Sequence, residues 1–173
     1  MSADLQDIGA ELRRLSSGVG HYRAWKIDLF NRVYGPDVQI DLNTIVEPAA
    51  EFLRPFTNSP SKQTANFVLG ELKRWYAATA SELAHIERHG SDVDREEANT
   101  FLDSFHQELG FRFEQESGLF RSTVDTVLKR GVIETRQEYR TVKDVLDDAQ
   151  ETLSNETESQ KLNQLLNTYE ANT

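Results

Sequence analysis

The chain has 173 residues, no cysteine, and 29 acidic against 19 basic side chains, for a net charge of -10. Without thiols there are no disulfides, thiolate metal sites or cysteine nucleophiles, and the acidic excess repels phosphate backbones and anionic headgroups, so neither nucleic acid nor a membrane surface is an expected partner. An apolar share of 38% beside 28% charged residues is low for a compact domain and predicts an elongated, surface-rich molecule.

MSADLQDIGAELRRL lacks the apolar core of a signal peptide, and no apolar run approaches the roughly 20 residues that span a bilayer. The expectation is a soluble cytoplasmic protein. In chain order, Leu5, Ile8, Leu12 and Leu15 recur at helical spacing, and Gly18 and Gly20 are expected to end that first helix. Tyr22, Trp25, Leu29, Phe30 and Val33 predict a second, buried helix that stops before Gly35-Pro36, because proline disfavours the helical conformation in the residue before it.

Val38, Ile40 and Leu42 alternate as a strand would, but no partner strand is visible, so 37–61 reads as an extended connector. Within it Thr44 and Glu47 have capping-box spacing for a short helix over Ala49, Ala50, Phe52 and Leu53, closed by Pro55. Ser59 as cap, with Pro60 in the first helical position, opens the next. Val68, Leu69, Leu72, Trp75, Tyr76, Thr79, Leu83 and Ile86 form its stripe from about residue 60 to His89, where Gly90 ends it.

Ser91 or Asp92 caps a helix whose first turn carries Asp94, Glu96 and Glu97, acids favoured at the positive end of the helix dipole. Its stripe of Ala98, Phe101, Leu102, Phe105, Leu109 and Phe113 resumes in Phe120, Val124, Val127 and Leu128. Unbroken to Lys129, this helix would reach about 55 Å, so Gly110 and Gly118 are the expected bends.

Gly131 terminates it, Val132 and Ile133 fold back, and Thr135 with Glu138 caps the following helix. That helix's face is Tyr139, Val142, Val145, Leu146, Ala149 and Leu153. A last helix begins at Ser154 or Asn155, with Leu162, Leu165, Leu166 and Tyr169 as its stripe. The segment LKRGVIETRQEYRTVKDVL, from Leu128 to Leu146, resembles the helical hairpin of SHOCT-type modules in its glycine, apolar pair, threonine and acidic-aromatic pair. The resemblance implies a local turn and no function.

The fold class that emerges is an all-α, elongated helical bundle with long central antiparallel helices and a C-terminal helical hairpin. Its expected organisation is a main bundle over 1–130 and an αα-hairpin over 131–173 packed on the same domain.

Chemistry-bearing patterns are few. Glu82 with His85, and Asp103 with His106, have the carboxylate-x-x-His spacing of helical di-metal proteins, which makes a carboxylate/histidine metal protein, a di-iron-like oxidase or a metal store, the alternative reading. The pairs fall on the flank of their apolar stripe, however, and bridging glutamates are not evident. His85 and His89 stand four apart, but the acid does not directly follow the first histidine as in a metalloprotease helix.

No nucleophile elbow, dinucleotide fingerprint or Walker lysine is present, and no serine pairs recognisably with histidine and acid. Neither a cofactor nor catalysis is expected. Arg136, Arg140 and Lys143 share one helix side close to Asp144 and Asp147, while Phe111 lies off the main stripe as an exposed anchor or a side chain packed beneath another helix. With them the expected role is protein-protein interaction, with a partner or with a second copy as a homodimer. An acidic antagonist of a basic target, of the immunity or antitoxin type, is its specific version.

Overall fold

The computed structural model describes residues 3–35, 37–38, 41–147 and 156–172, and the regular structure among them is helical throughout. The helices are α1 (Ala3–Tyr34), α2 (Leu42–Ile45), α3 (Ala49–Asn58), α4 (Lys62–His89), α5 (Asp92–Leu109), α6 (Phe113–Glu116), α7 (Leu119–Arg130), α8 (Arg136–Asp147) and α9 (Glu156–Ala171). The fold is an all-α bundle. Ile40, Ala149, Leu153 and the Ser154 or Asn155 cap lie outside the described residues, as does the Phe120 side chain.

By contacts the chain divides into two compact units, Met1–Tyr76 with Phe101–Phe113, and Ala77–Thr100 with Glu114–Thr173. Helices α4 and α5 give one half to each, and the hairpin after residue 131 shares its unit with the other residues of the second set.

In the first unit α1 is the spine. The expected break at Gly18 and Gly20 does not occur, because these glycines serve close packing instead. The Tyr76 hydroxyl donates to the Leu15 carbonyl at 2.9 Å, and a Cβ on Gly18 would overlap that hydroxyl and come within 2.9 Å of Phe105 Cζ. Gly20 faces Ala49 and Gly9 faces Phe56, so α3 runs back antiparallel along α1. Pro55 does not close α3, which continues a further turn to Asn58 and ends where the Ser59 N–H bonds the Pro55 carbonyl at 3.2 Å.

Helix α4 starts two residues later than expected. Ser61, not Ser59, is its cap, with the Ser61 hydroxyl accepting from the Thr64 N–H at 3.1 Å. Thr44 does not cap the helix over Ala49–Asn58 as expected: it lies within α2, α3 follows Pro48 with no side-chain cap bond, and α2 itself is capped by Asp41, which accepts from the Asn43 N–H at 3.0 Å.

Helices α4 and α5 are joined by two residues and run antiparallel, with Tyr76 against Phe105. The core here is aromatic. Phe101 is ringed by Tyr22, Trp25, Phe105 and Phe113 at centroid distances of 4.8–5.8 Å, mostly in the tilted and edge-on geometries that aromatic quadrupoles favour. Gly110 takes a positive φ of 75° and ends α5. The expected bends at Gly110 and Gly118 are therefore full breaks, with the single turn of α6 between them.

In the second unit Val124, Val127, Ile133, Val142, Val145 and Leu162 form a buried cluster, flanked by Leu128, Tyr139, Leu146, Leu165, Leu166 and Tyr169. Gly131, left-handed at φ 76°, turns the chain after α7 and donates its N–H to the Val127 carbonyl at 2.8 Å. Of the apolar pair that follows, Ile133 enters the core and Val132 is exposed. Thr135 caps α8 as expected, accepting from the Glu138 N–H at 3.1 Å. The Glu138 carboxylate is buried and takes the Glu134 N–H at 2.9 Å and the Arg130 guanidinium at 2.5 Å.

Candidate functional site

Glu82, His85, Asp103 and His106 are all exposed. Among the described residues no group of three or more histidine and acidic side chains is placed to hold a metal ion. The His85 and His89 rings lie 4.8 Å apart on the surface of α4.

Phe111 is not a free anchor. It is half-buried, edge-on to Phe105 at 5.1 Å, with the Arg14 guanidinium over its face at 4.4 Å. Arg136 pairs away from its own helix, to Glu96 of α5 at 3.2 Å, and its N–H bonds the Glu87 carboxylate at 3.1 Å. The Lys143 ammonium lies 5.8 Å from the Tyr139 ring. The Tyr139 hydroxyl donates to Glu170 at 2.7 Å, a bond that raises the phenol pKa above its ordinary value, and burial adds to the shift. Arg140 is half-buried on the same helix. The three cations expected to form one basic face are thus drawn into different local arrangements.

The structure does bring a serine, a histidine and an acid together, a grouping not read from the sequence. His21 of α1 meets Ser104 of α5, Nε2 to Oγ at 2.9 Å, and its Nδ1 stands 3.3 Å from the Glu108 carboxylate. The only sequence trace is the i, i+4 spacing of Ser104 and Glu108, because His21 lies 83 residues from Ser104. Ser104 sits inside α5, where its own backbone amide and those beside it are occupied by the helix ladder. Its hydroxyl also bonds the Phe101 carbonyl at 3.0 Å. The triplet joins α1 to α5.

The surface that stands out is at the end of α1 and along the connector after it. Val33 is 64% exposed, Tyr34 62%, Val38 46% and Leu42 41%. The expectation that Val33 is buried with its helix is therefore corrected: Tyr22 is buried, Phe30 is half-buried against the Tyr34 ring at 4.6 Å, and Val33 is left uncovered.

The connector is held by Arg23, whose guanidinium donates to the carbonyls of Leu42, at 2.7 Å, and Val46, and to Asn43 Oδ1 at 3.3 Å. This fixes Leu42 beside α1 rather than leaving it on a loose loop. Asp28, Asp37, Asp41 and Glu47, in the same stretch of sequence, are exposed as well. The cation among them in sequence, Arg32, is paired to Asp28 at 2.9 Å. Among the described residues, the stretch from Asp28 to Glu47 thus carries four exposed large apolar side chains and four exposed acids, with its part from Leu42 to Val46 held by Arg23. No described helix is long and apolar enough to cross a membrane. Compared with protein-family models, curated proteins and solved structures, the chain matches none.

Proposed function

We propose that this chain is a non-enzymatic protein-binding module that docks a basic partner protein on the strip formed by Val33, Tyr34, Val38 and Leu42. The observation that carries the reading is that strip. Large apolar side chains concentrated on one surface and rimmed by polar groups mark interaction sites, and Arg23 holds the Leu42 end of this one in place before a partner arrives, reducing the ordering entropy of binding there. Four acids against one arginine between residues 28 and 47 favour a partner with a basic rim. The same border disfavours a second copy, since a two-fold contact would set it against itself.

The test is native mass spectrometry of the full chain recovered gently from its own cells, beside a Val33→Ser, Tyr34→Ser variant. The expected result is one basic companion in stoichiometric amount, lost from the variant and weakened by salt, which screens the rim. A lone chain, a homodimer, or a companion that the variant retains would overturn the proposal.

A further inference from the structure

Ser104, His21 and Glu108 do more than tie α1 to α5. All three lie in the first unit, and their contacts give each a chemical role. Glu108 presents only acceptors to His21 Nδ1, 3.3 Å away, so that contact favours the neutral tautomer with its hydrogen on Nδ1. Nε2 then offers a lone pair to Ser104 Oγ from 2.9 Å. A hydroxyl within hydrogen-bond reach of a base that a third group orients is the arrangement that activates a serine as a nucleophile.

Three further features keep the arrangement usable. The serine oxygen also stands 3.0 Å from the Phe101 carbonyl, so its one hydrogen has two acceptors and passes from the carbonyl to Nε2 by rotation about Cβ–Oγ, with no heavy atom moving. The Phe101 and Phe105 rings flank the His21 ring at centroid distances of 5.7 Å, one tilted and one edge-on, which limits its freedom to turn Nε2 away. None of the three side chains is sealed in: Ser104 and His21 are half-buried and Glu108 is exposed.

The surroundings select the reagent. With the neighbouring amides engaged in the helix, the site suits donors that already carry a good leaving group, for which removal of the hydroxyl proton is the assistance required. The Glu108 carboxylate and the net charge of -10 disfavour anionic donors. We infer that Ser104 is an acylation site, which takes a small uncharged acyl group from an activated ester, with His21 as general base and Glu108 as a positioning residue. The bond from Oγ to the acyl carbon forms and the bond from that carbon to the leaving oxygen breaks. The serine proton moves to Nε2, and from there to the departing oxygen or to water. Nothing is oxidised or reduced. The step is a modification that needs no turnover, so it is independent of the docking strip.

The experiment treats the full chain with p-nitrophenyl acetate and, as a trap that is not hydrolysed, an alkyl fluorophosphonate, and locates the label by mass spectrometry of peptides. Ser81, exposed on α4, is the internal control. Ser104 should be labelled about 10²-fold or more faster than Ser81, the size of a general-base contribution. His21→Gln should remove that advantage, and unfolding in urea should remove it as well.

Glu108→Gln should slow labelling by a smaller factor and Glu108→Asp should restore part of it. A merely structural Glu108 would change the melting temperature and leave the labelling rate of the folded chain where it was. Equal rates at Ser104 and Ser81 in the folded chain, attachment at another residue instead of Ser104, or a Ser104 rate that survives His21→Gln or urea would each overturn the assignment.

Discussion

Gly18 of α1 and Tyr76 of α4 occupy one another's space: the tyrosine hydroxyl reaches the Leu15 carbonyl through the volume that any Cβ at residue 18 would fill. Gly18→Ala gains helix propensity of up to about 1 kcal/mol but overpacks a site where Phe105 also closes in, at about 1–3 kcal/mol. A net loss of about 1–2 kcal/mol is expected. Tyr76→Phe alone forfeits a hydrogen bond of about 1 kcal/mol. Together the changes should cost less than their sum, because the phenylalanine vacates the space the alanine needs. A double-mutant cycle by urea unfolding measures this coupling.

Two glycines should respond to alanine with opposite signs. Gly70 lies within α4, and the place a Cβ would take there has nothing within 4 Å, so Gly70→Ala should stabilise by about 0.5–1 kcal/mol. Gly131 has φ 76° and ends α7, so Gly131→Ala should destabilise by about 1 kcal/mol or more, because a side chain strains that backbone conformation. Denaturation midpoints of the two variants decide the matter.

Removing Arg130 should be worse than removing both partners of its bond. Arg130→Met leaves the Glu138 side chain, 11% exposed, with one backbone donor and no cation, at an expected loss of about 1–3 kcal/mol. Adding Glu138→Gln should recover part of it, because the amide oxygen can still accept the Glu134 N–H without a buried charge. Urea unfolding of the single and double variants tests the order.

Stability should fall at both ends of the pH scale through identifiable groups. The Ser91 hydroxyl and N–H hold the Asp94 carboxyl below its ordinary value, and Arg14 does the same for Glu11. Groups depressed in the folded state stabilise it above their unfolded values, near pH 4, and that contribution disappears as pH drops through the lower folded values. Ser91→Ala should therefore flatten the acid limb. Tyr139 is shifted the other way by Glu170. Its contribution is complete below the unfolded value, about 10, and is lost as pH rises through the higher folded one. Tyr139→Phe should flatten the alkaline limb in unfolding midpoints measured across pH.

Helix ends were legible where a glycine supplies a left-handed turn. Gly35, Gly110, Gly118 and Gly131 all have positive φ; Gly35 and Gly131 stand at stops read from the sequence, whereas Gly110 and Gly118 were read only as bends. Gly18 carries the same letter for another reason, the approach of a tyrosine 58 positions later, which local pattern does not contain. Pro55 misled similarly, because a helix can continue for a turn past a proline when its packing is held by Phe56 against Gly9. The fate of Val33 was hidden as well. Periodicity marks an apolar side of a helix but not what covers it, and here nothing in the first unit does. His21, Ser104 and Glu108 could be joined only through the tertiary fold.

The interleaving of the two units sets an order for synthesis. Phe101, Phe105 and Phe113, which complete the aromatic core of the first unit, leave the ribosome only after residues 77–100, which belong to the second. The nascent chain must therefore carry Tyr22, Trp25 and Tyr76 without their partners while 24 further residues are made. A fragment ending at residue 100 exposes that surface, and chaperone capture of nascent chains should peak there and fall once residue 113 has emerged.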